Sequence, residues 1–213
     1  MLDAEVAEIA ARSVYVSGLA TLLAASWSLP LAYVMAIRGR MRLLASLFES
    51  LVGVPTVLVG LVIYMLFSRK GPLGFLGLLY TPYAIVVGEA FLVTPLIVSV
   101  MHRVLQSAVK RYWELAVSLG ASERQAMLTA FAQSLPAVVA SIVMGFSRAI
   151  GELGVALLVG GNIKGYTRTL TTAIALEVSK GEFEDAVALG LVLVAIVAAF
   201  SAAARILWRG EEL

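Results

Sequence analysis

The apolar and charged positions of this chain fall into long separate blocks. They do not alternate at a strand period or follow one face of a soluble helix. A helix that crosses the ~30 Å hydrocarbon core of a bilayer needs about 20 mostly apolar residues. Five blocks meet that length: 13–37, with no charge; 43–67, with only Glu49; 83–101, with only Glu89; 136–159, with Arg148 and Glu152; and 186–206, with Arg205 near its end. The pattern predicts an all-α integral membrane protein of five transmembrane helices in a single domain over 1–213. Met1 to Arg12 carries Asp3, Glu5 and Glu8, the reverse of a basic signal-peptide start, so the first block reads as a retained span.

The blocks are not uniform rods. Pro30, Pro55 and Pro95 each fall within one of the first three, where a proline frees a carbonyl and bends a helix. Such breaks are tolerated where protein or a water-filled cavity covers them, which points to a packed bundle around a pathway. In the fourth block Ala137, Ser141, Gly145 and Ala149 recur every four residues, a small-residue stripe suited to close helix packing or to a gate.

Short loops that stay in the cytoplasm retain Lys and Arg. One alternating set of loops holds Arg38, Arg40, Arg42, Arg103, Lys110, Arg111, Arg124, Arg205 and Arg209 against Glu114, Glu123, Glu211 and Glu212. The other holds Arg12, Arg69, Lys70, Lys164, Arg168 and Lys180 against a slightly larger number of carboxylates. The first set is therefore read as cytoplasmic, with the N-terminus outside and the C-terminus inside a multi-pass protein of the cytoplasmic membrane.

The connection 102–135 is too long for a simple turn. Leu105, Val109, Tyr112, Ala116 and Leu119 trace one apolar helix face, Gly120 supplies a stop, and Ser122 with Gln125 forms a capping-box signature for a second helix. A helix, a corner and a helix on the cytoplasmic side suit either docking of a soluble partner or rest on lipid headgroups.

Composition narrows the chemistry. The chain is 61% hydrophobic and 14% charged, against roughly 45–50% and 25% in soluble domains, and its mean hydropathy is +0.95. A soluble enzyme is excluded, and a net charge of +2 is too small for a nucleic-acid footprint. There is no cysteine and His102 is the one histidine, which removes thiol chemistry and paired-histidine metal sites. No Gly-Lys dipeptide occurs, so a phosphate-binding ATPase loop is absent.

Glu114-Leu115-Ala116, followed by Gly120 and Ala121, resembles the EAA loop of permease subunits in binding-protein-dependent ABC importers. Leu115 stands where that loop has alanine, and Leu135-Pro136 comes a few positions later than the usual Leu-Pro pair. The runs 54–61, 71–74 and 146–154 are similar to the oxyanion branch of these permeases, and 159–174 with 177–181 to the tungstate importers in particular. The resemblance implies a type I ABC importer permease fold whose cytoplasmic coupling helix inserts into an ATPase, and it covers nearly the whole chain. By that resemblance the permease is not itself an enzyme and binds no cofactor. ATP and Mg sit on a partner ATPase dimer, an extracytoplasmic tungstate-binding protein delivers and largely selects the anion, and a second permease copy completes a homodimer in membrane lipid.

Ionisable groups within a membrane must face protein or water. Arg148 and Glu152, four residues apart, can pair on one helix face. The pair either ties the bundle together or lends positive potential to an anion pathway while limiting how tightly the anion is held. Gly151, Asn162, Thr169 and Thr171 are candidate pathway residues beside it, because backbone amides and hydroxyls among the cations Lys164 and Arg168 suit an oxyanion at the outer mouth; they equally suit helix ends and turns. The reading is ATP-driven import of tungstate by alternating access. Molybdate or sulfate is the alternative cargo, and a passive channel or a membrane-embedded hydrolase the alternative class.

Overall fold

The computed structural model describes residues 2–38 and 41–209. Arg40, Glu211 and Glu212, which entered the charge count, lie outside the described residues. Those residues contain helices and no strand. They run α1 (Leu2–Arg38), α2 (Arg42–Leu51), α3 (Thr56–Phe67), α4 (Pro82–Ala108), α5 (Glu114–Ser118), α6 (Glu123–Ala132), α7 (Leu135–Ile150), α8 (Gly154–Gly160), α9 (Leu170–Lys180) and α10 (Phe183–Arg209). Three stretches, Ala4–Ile37, Pro82–Ser118 and Phe183–Ile206, are long and apolar enough to cross a membrane. The bent pairs α2/α3 and α6/α7 bring the number to as many as five if each is one span.

Two blocks and the 102–135 connection differ from the sequence reading. Block 43–67 is broken, with α2 and α3 meeting at 96°, and Pro55 sits at that junction as the residue before α3, not inside a helix. Proline removes a backbone donor and disfavours helical geometry in the residue before it, so the chain turns there. Pro30 and Pro95, by contrast, are absorbed within continuous α1 and α4. Block 136–159 is α7 and α8 separated by residues 151–153. Lastly, the first helix of the 102–135 connection is not separate. α4 runs on through a π turn at Val109–Trp113 into α5, giving one continuous helical rod over Pro82–Ser118.

The core forms where α1 crosses α4. Val16, Ala20 and Ala24 recur every four residues on α1, and Ala90, Val93, Ile97 and Met101 make the matching stripe on α4, all fully buried. Small residues dominate because helices without a strong hydrophobic drive between them gain from close backbone approach. The stripe on α7 serves this packing: a Cβ on Gly145 would lie 2.9 Å from Ile97 Cδ1 and 3.4 Å from Thr21 Cγ2. α8 is held similarly, since a Cβ on Gly88 would meet Val155 Cγ1 at 2.5 Å and one on Gly60 would meet the Val155 Cα at 3.1 Å. A smaller core of Ile9, Leu170, Ala173 and Leu189 joins the first turns of α1 to α9 and α10.

Candidate functional site

The 151–153 break places the intramembrane charge pair. α7 ends at Ile150 with Gly151 as its cap residue, and the chain turns so that the Glu152 side chain points inward, 3% exposed. One carboxylate oxygen accepts the Val155 N–H at 3.2 Å, which satisfies a free donor at the start of α8. The other accepts from Arg148 Nη1 at 2.7 Å. The Glu152 carbonyl accepts the Thr171 hydroxyl at 2.7 Å, and Thr171 lies 3.1 Å from the Thr169 hydroxyl. Thr169 begins α9 in a reciprocal cap with Thr172. Glu152 is thus held from three directions.

Arg148 is not. A guanidinium carries five N–H donors, this one forms a single protein bond among the described residues, and its side chain is 40% exposed. The arrangement is a cation anchored on one edge by a buried carboxylate and open on the others. Behind the pair, Glu89 of α4 is buried at 1% exposure beside Ser17, with one carboxylate oxygen lacking a hydrogen-bond partner.

The segment after α8 has a different character. Lys164 Nζ donates to Glu5 at 2.9 Å, and Arg168 Nη1 lies 3.7 Å from the same carboxylate. Arg168 Nε donates to Asn162 Oδ1 at 3.1 Å, and its carbonyl accepts Arg12 Nη1 at 3.1 Å. The Thr167 hydroxyl donates to the Gly160 carbonyl at 2.6 Å and accepts the Ile163 N–H at 2.9 Å. The fold therefore gathers Arg148, Gly151, Glu152, Thr169 and Thr171 into one cluster. Asn162 belongs to a second, in which cations and hydroxyls are already engaged by the protein. Glu5, 159 residues from Lys164 in the chain, was not a candidate; only the docking of α1 on α9 reveals it.

At the far end of the α4 rod, α5 closes with paired bonds, Gly120 N–H to Val117 O and Ala121 N–H to Ala116 O, each 3.0 Å. This C-terminal motif needs a left-handed residue, and Gly120 supplies φ +87°. Ser122 then caps α6 in the box read from the sequence, its N–H 2.9 Å from Gln125 Oε1. Leu115 and Leu119 on this corner are 56% and 80% exposed. Glu114, Leu115, Ala116, Gly120 and Ala121 thus form one protruding feature.

The family of binding-protein-dependent transport system inner membrane components matches residues 28–209. The chain belongs to this family. The permease is 40% identical over 202 residues to the tungstate uptake system permease protein TupB of Peptoclostridium acidaminophilum, covering 94% of this chain and 89% of the relative. TupB of Campylobacter jejuni is 38% identical over 155 residues, 73% of this chain and 65% of that protein. A probable anion ABC transporter permease protein of Haloferax volcanii is 36% identical over 197 residues, 89% of this chain and 84% of that one. The broken, charge-bearing helices described above are those of a multi-pass membrane permease with a type I ABC importer fold.

Proposed function

We propose that this permease carries tungstate inward across the cytoplasmic membrane, as a homodimer driven by a separate ATPase dimer and supplied by an extracytoplasmic binding protein. The observation that carries the reading is Arg148, a half-exposed guanidinium bonded on one edge to buried Glu152. A tetrahedral dianion is attracted by the free donors, while the Glu152 charge keeps the pair neutral overall and the anion loosely held. Loose holding matters because conduction needs sites weak enough to leave. The tungstate and anion relatives support the cargo, and the excess of Lys and Arg in alternate loops supports an inward C-terminus.

Coupling follows from the helical rod. The exposed leucines at the Gly120 corner suit a cleft in the ATPase, and α4 extends from that corner to the core beside α1 and α7. Displacement of the corner is thereby transmitted to the helices that flank Arg148. The π turn at Val109–Trp113 interrupts the regular hydrogen-bond ladder just ahead of the corner, a feature common at functional sites. Asn162, Thr169 and Thr171 act in this reading as supports for the pathway walls and not as anion ligands.

Elemental mass spectrometry of host cells with and without the gene, at nanomolar-range tungstate, tests the proposal. Selective loss of cellular tungsten, restored by the gene, is expected. Loss of molybdenum or sulfur alone would assign another oxyanion, and no change in any element, with no second importer present, would overturn oxyanion transport.

A further inference from the structure

α7 and α10 lie antiparallel, locked by Phe146 and Phe200, whose ring centroids are 4.1 Å apart. Beside that contact runs an open groove of about 840 Å³, with Leu96 of α4, Val143 and Met144 on its apolar wall. Arg148 lines one part of it and Arg205 of α10 another, with Ser147 and Ser201 also on the lining. Among the described residues no carboxylate side chain lines the groove; Glu152 stands behind Arg148, buried. At 1.5 Å rise per residue the two arginines are offset by about 10 Å along the helix axes.

We infer that Arg205 is a second anion-holding residue of the translocation pathway, receiving the tetrahedral dianion from Arg148 on the inner half of its passage. The inference rests on the tungstate reading above. A single oxyanion cannot be held tightly by two guanidiniums about 10 Å apart, so the pair acts in succession, each site weak and the second pulling the ion from the first. Lipid phosphate is the rival occupant. It is disfavoured because the groove continues from Pro136, at the start of α7, to Arg148, twelve residues or about 18 Å along that helix, deeper than a headgroup sits. A single positive groove running from the start of α7 to the charged site at its end fits an ion in transit.

The test uses the complete transporter, permease with ATPase and binding protein, in liposomes of phosphatidylcholine alone, with tungstate uptake and ATP hydrolysis measured together. Arg205→Gln is expected to lower the maximal uptake rate at least fivefold. The tungstate concentration for half-maximal uptake stays within twofold, because the binding protein captures the ion, and ATP hydrolysis persists, so more ATP is consumed per ion. Arg205→Lys recovers at least half of the rate, and Ser201→Asp, which adds a carboxylate to the groove, lowers it again. Unchanged uptake in Arg205→Gln overturns the inference. So does a defect seen only when anionic lipid is added, which would assign Arg205 to a headgroup, or an equal loss in Gln and Lys variants with ATP hydrolysis abolished, which would make it structural. Failure of wild-type transporter to import any oxyanion would instead overturn the tungstate reading, and this inference with it.

Discussion

Arg148 lies inside an apolar block and Arg168 in the polar stretch that follows it, and both were candidates to meet an anion. Arg148 makes one protein bond among the described residues and is 40% exposed. Arg168 is 14% exposed and is engaged by Asn162, by Glu5 and through its own carbonyl by Arg12. The difference lies in what remains unsatisfied. Where the fold already supplies a guanidinium's partners, an added anion must displace them; where it supplies one, the anion adds bonds without breaking any. Positive charge in the sequence marks both positions, and only satisfaction separates a pathway group from a strut.

The largest effect that would sharpen this contrast comes from removing the Arg148–Glu152 pair in two stages. Arg148→Gln is expected to reduce uptake at least tenfold. It also lowers protein level, because a buried carboxylate loses its counter-charge, at a cost of up to about 3 kcal/mol. Arg148→Gln with Glu152→Gln removes both charges, and replacing a whole pair is often close to neutral for stability. Membrane level, read by immunoblot, should return while uptake per molecule stays at least tenfold down. Recovery of uptake with level would make the pair a structural tie and erase the distinction from Arg168.

Arg168→Gln comes next in size and has the opposite signature. Loss of a nearly buried guanidinium with two side-chain partners, Asn162 and Glu5, should cost about 1–2 kcal/mol, seen as a lower melting temperature of the purified permease. Uptake per folded molecule should remain within twofold of wild type. A tenfold loss of uptake at unchanged melting temperature would put Arg168 on the pathway.

Local features were legible in the chain. The Gly120 corner and the Ser122–Gln125 box involve residues a few positions apart, and their hydrogen bonds depend on backbone geometry that glycine and serine specify directly. The Arg148–Glu152 pair was legible from its four-residue spacing, although Glu152 lies just past the end of α7 and not on the shared helix face that spacing suggests. A bend was read at Pro55 but not the 96° turn that splits α2 from α3, and the division of α7 from α8 was not read, because hydropathy counts apolar length and is blind to direction. α5 was read as a separate helix because the polar residues after Met101 resemble a loop boundary, yet they continue the α4 ladder. Glu5 and Arg205 were missed as partners for a more general reason. Each meets its cluster through the packing of α1 or α10 against elements far away in the sequence, and no local spacing encodes that.

The smallest effect tests the edge of the contrast. Glu5 accepts Lys164 at 2.9 Å and faces Arg168, yet the Lys164–Glu5 pair is 69% and 38% exposed. Exposed pairs contribute little and are screened by salt. Glu5→Gln should therefore lower thermal stability only slightly, with the difference from wild type shrinking as ionic strength rises from about 0.1 to 1 M, where the screening length falls from ~10 to ~3 Å. Uptake should not change, because Asn162 still holds the Arg168 side chain and the Arg12 guanidinium its carbonyl, while Lys164 merely gains solvent. If uptake instead rises or falls severalfold in low salt and returns to wild type in high salt, the passing anion feels the freed Lys164 charge. The second cluster would then be an electrostatic entrance in series with Arg148, and the separation between strut and pathway would fail at this end of the molecule.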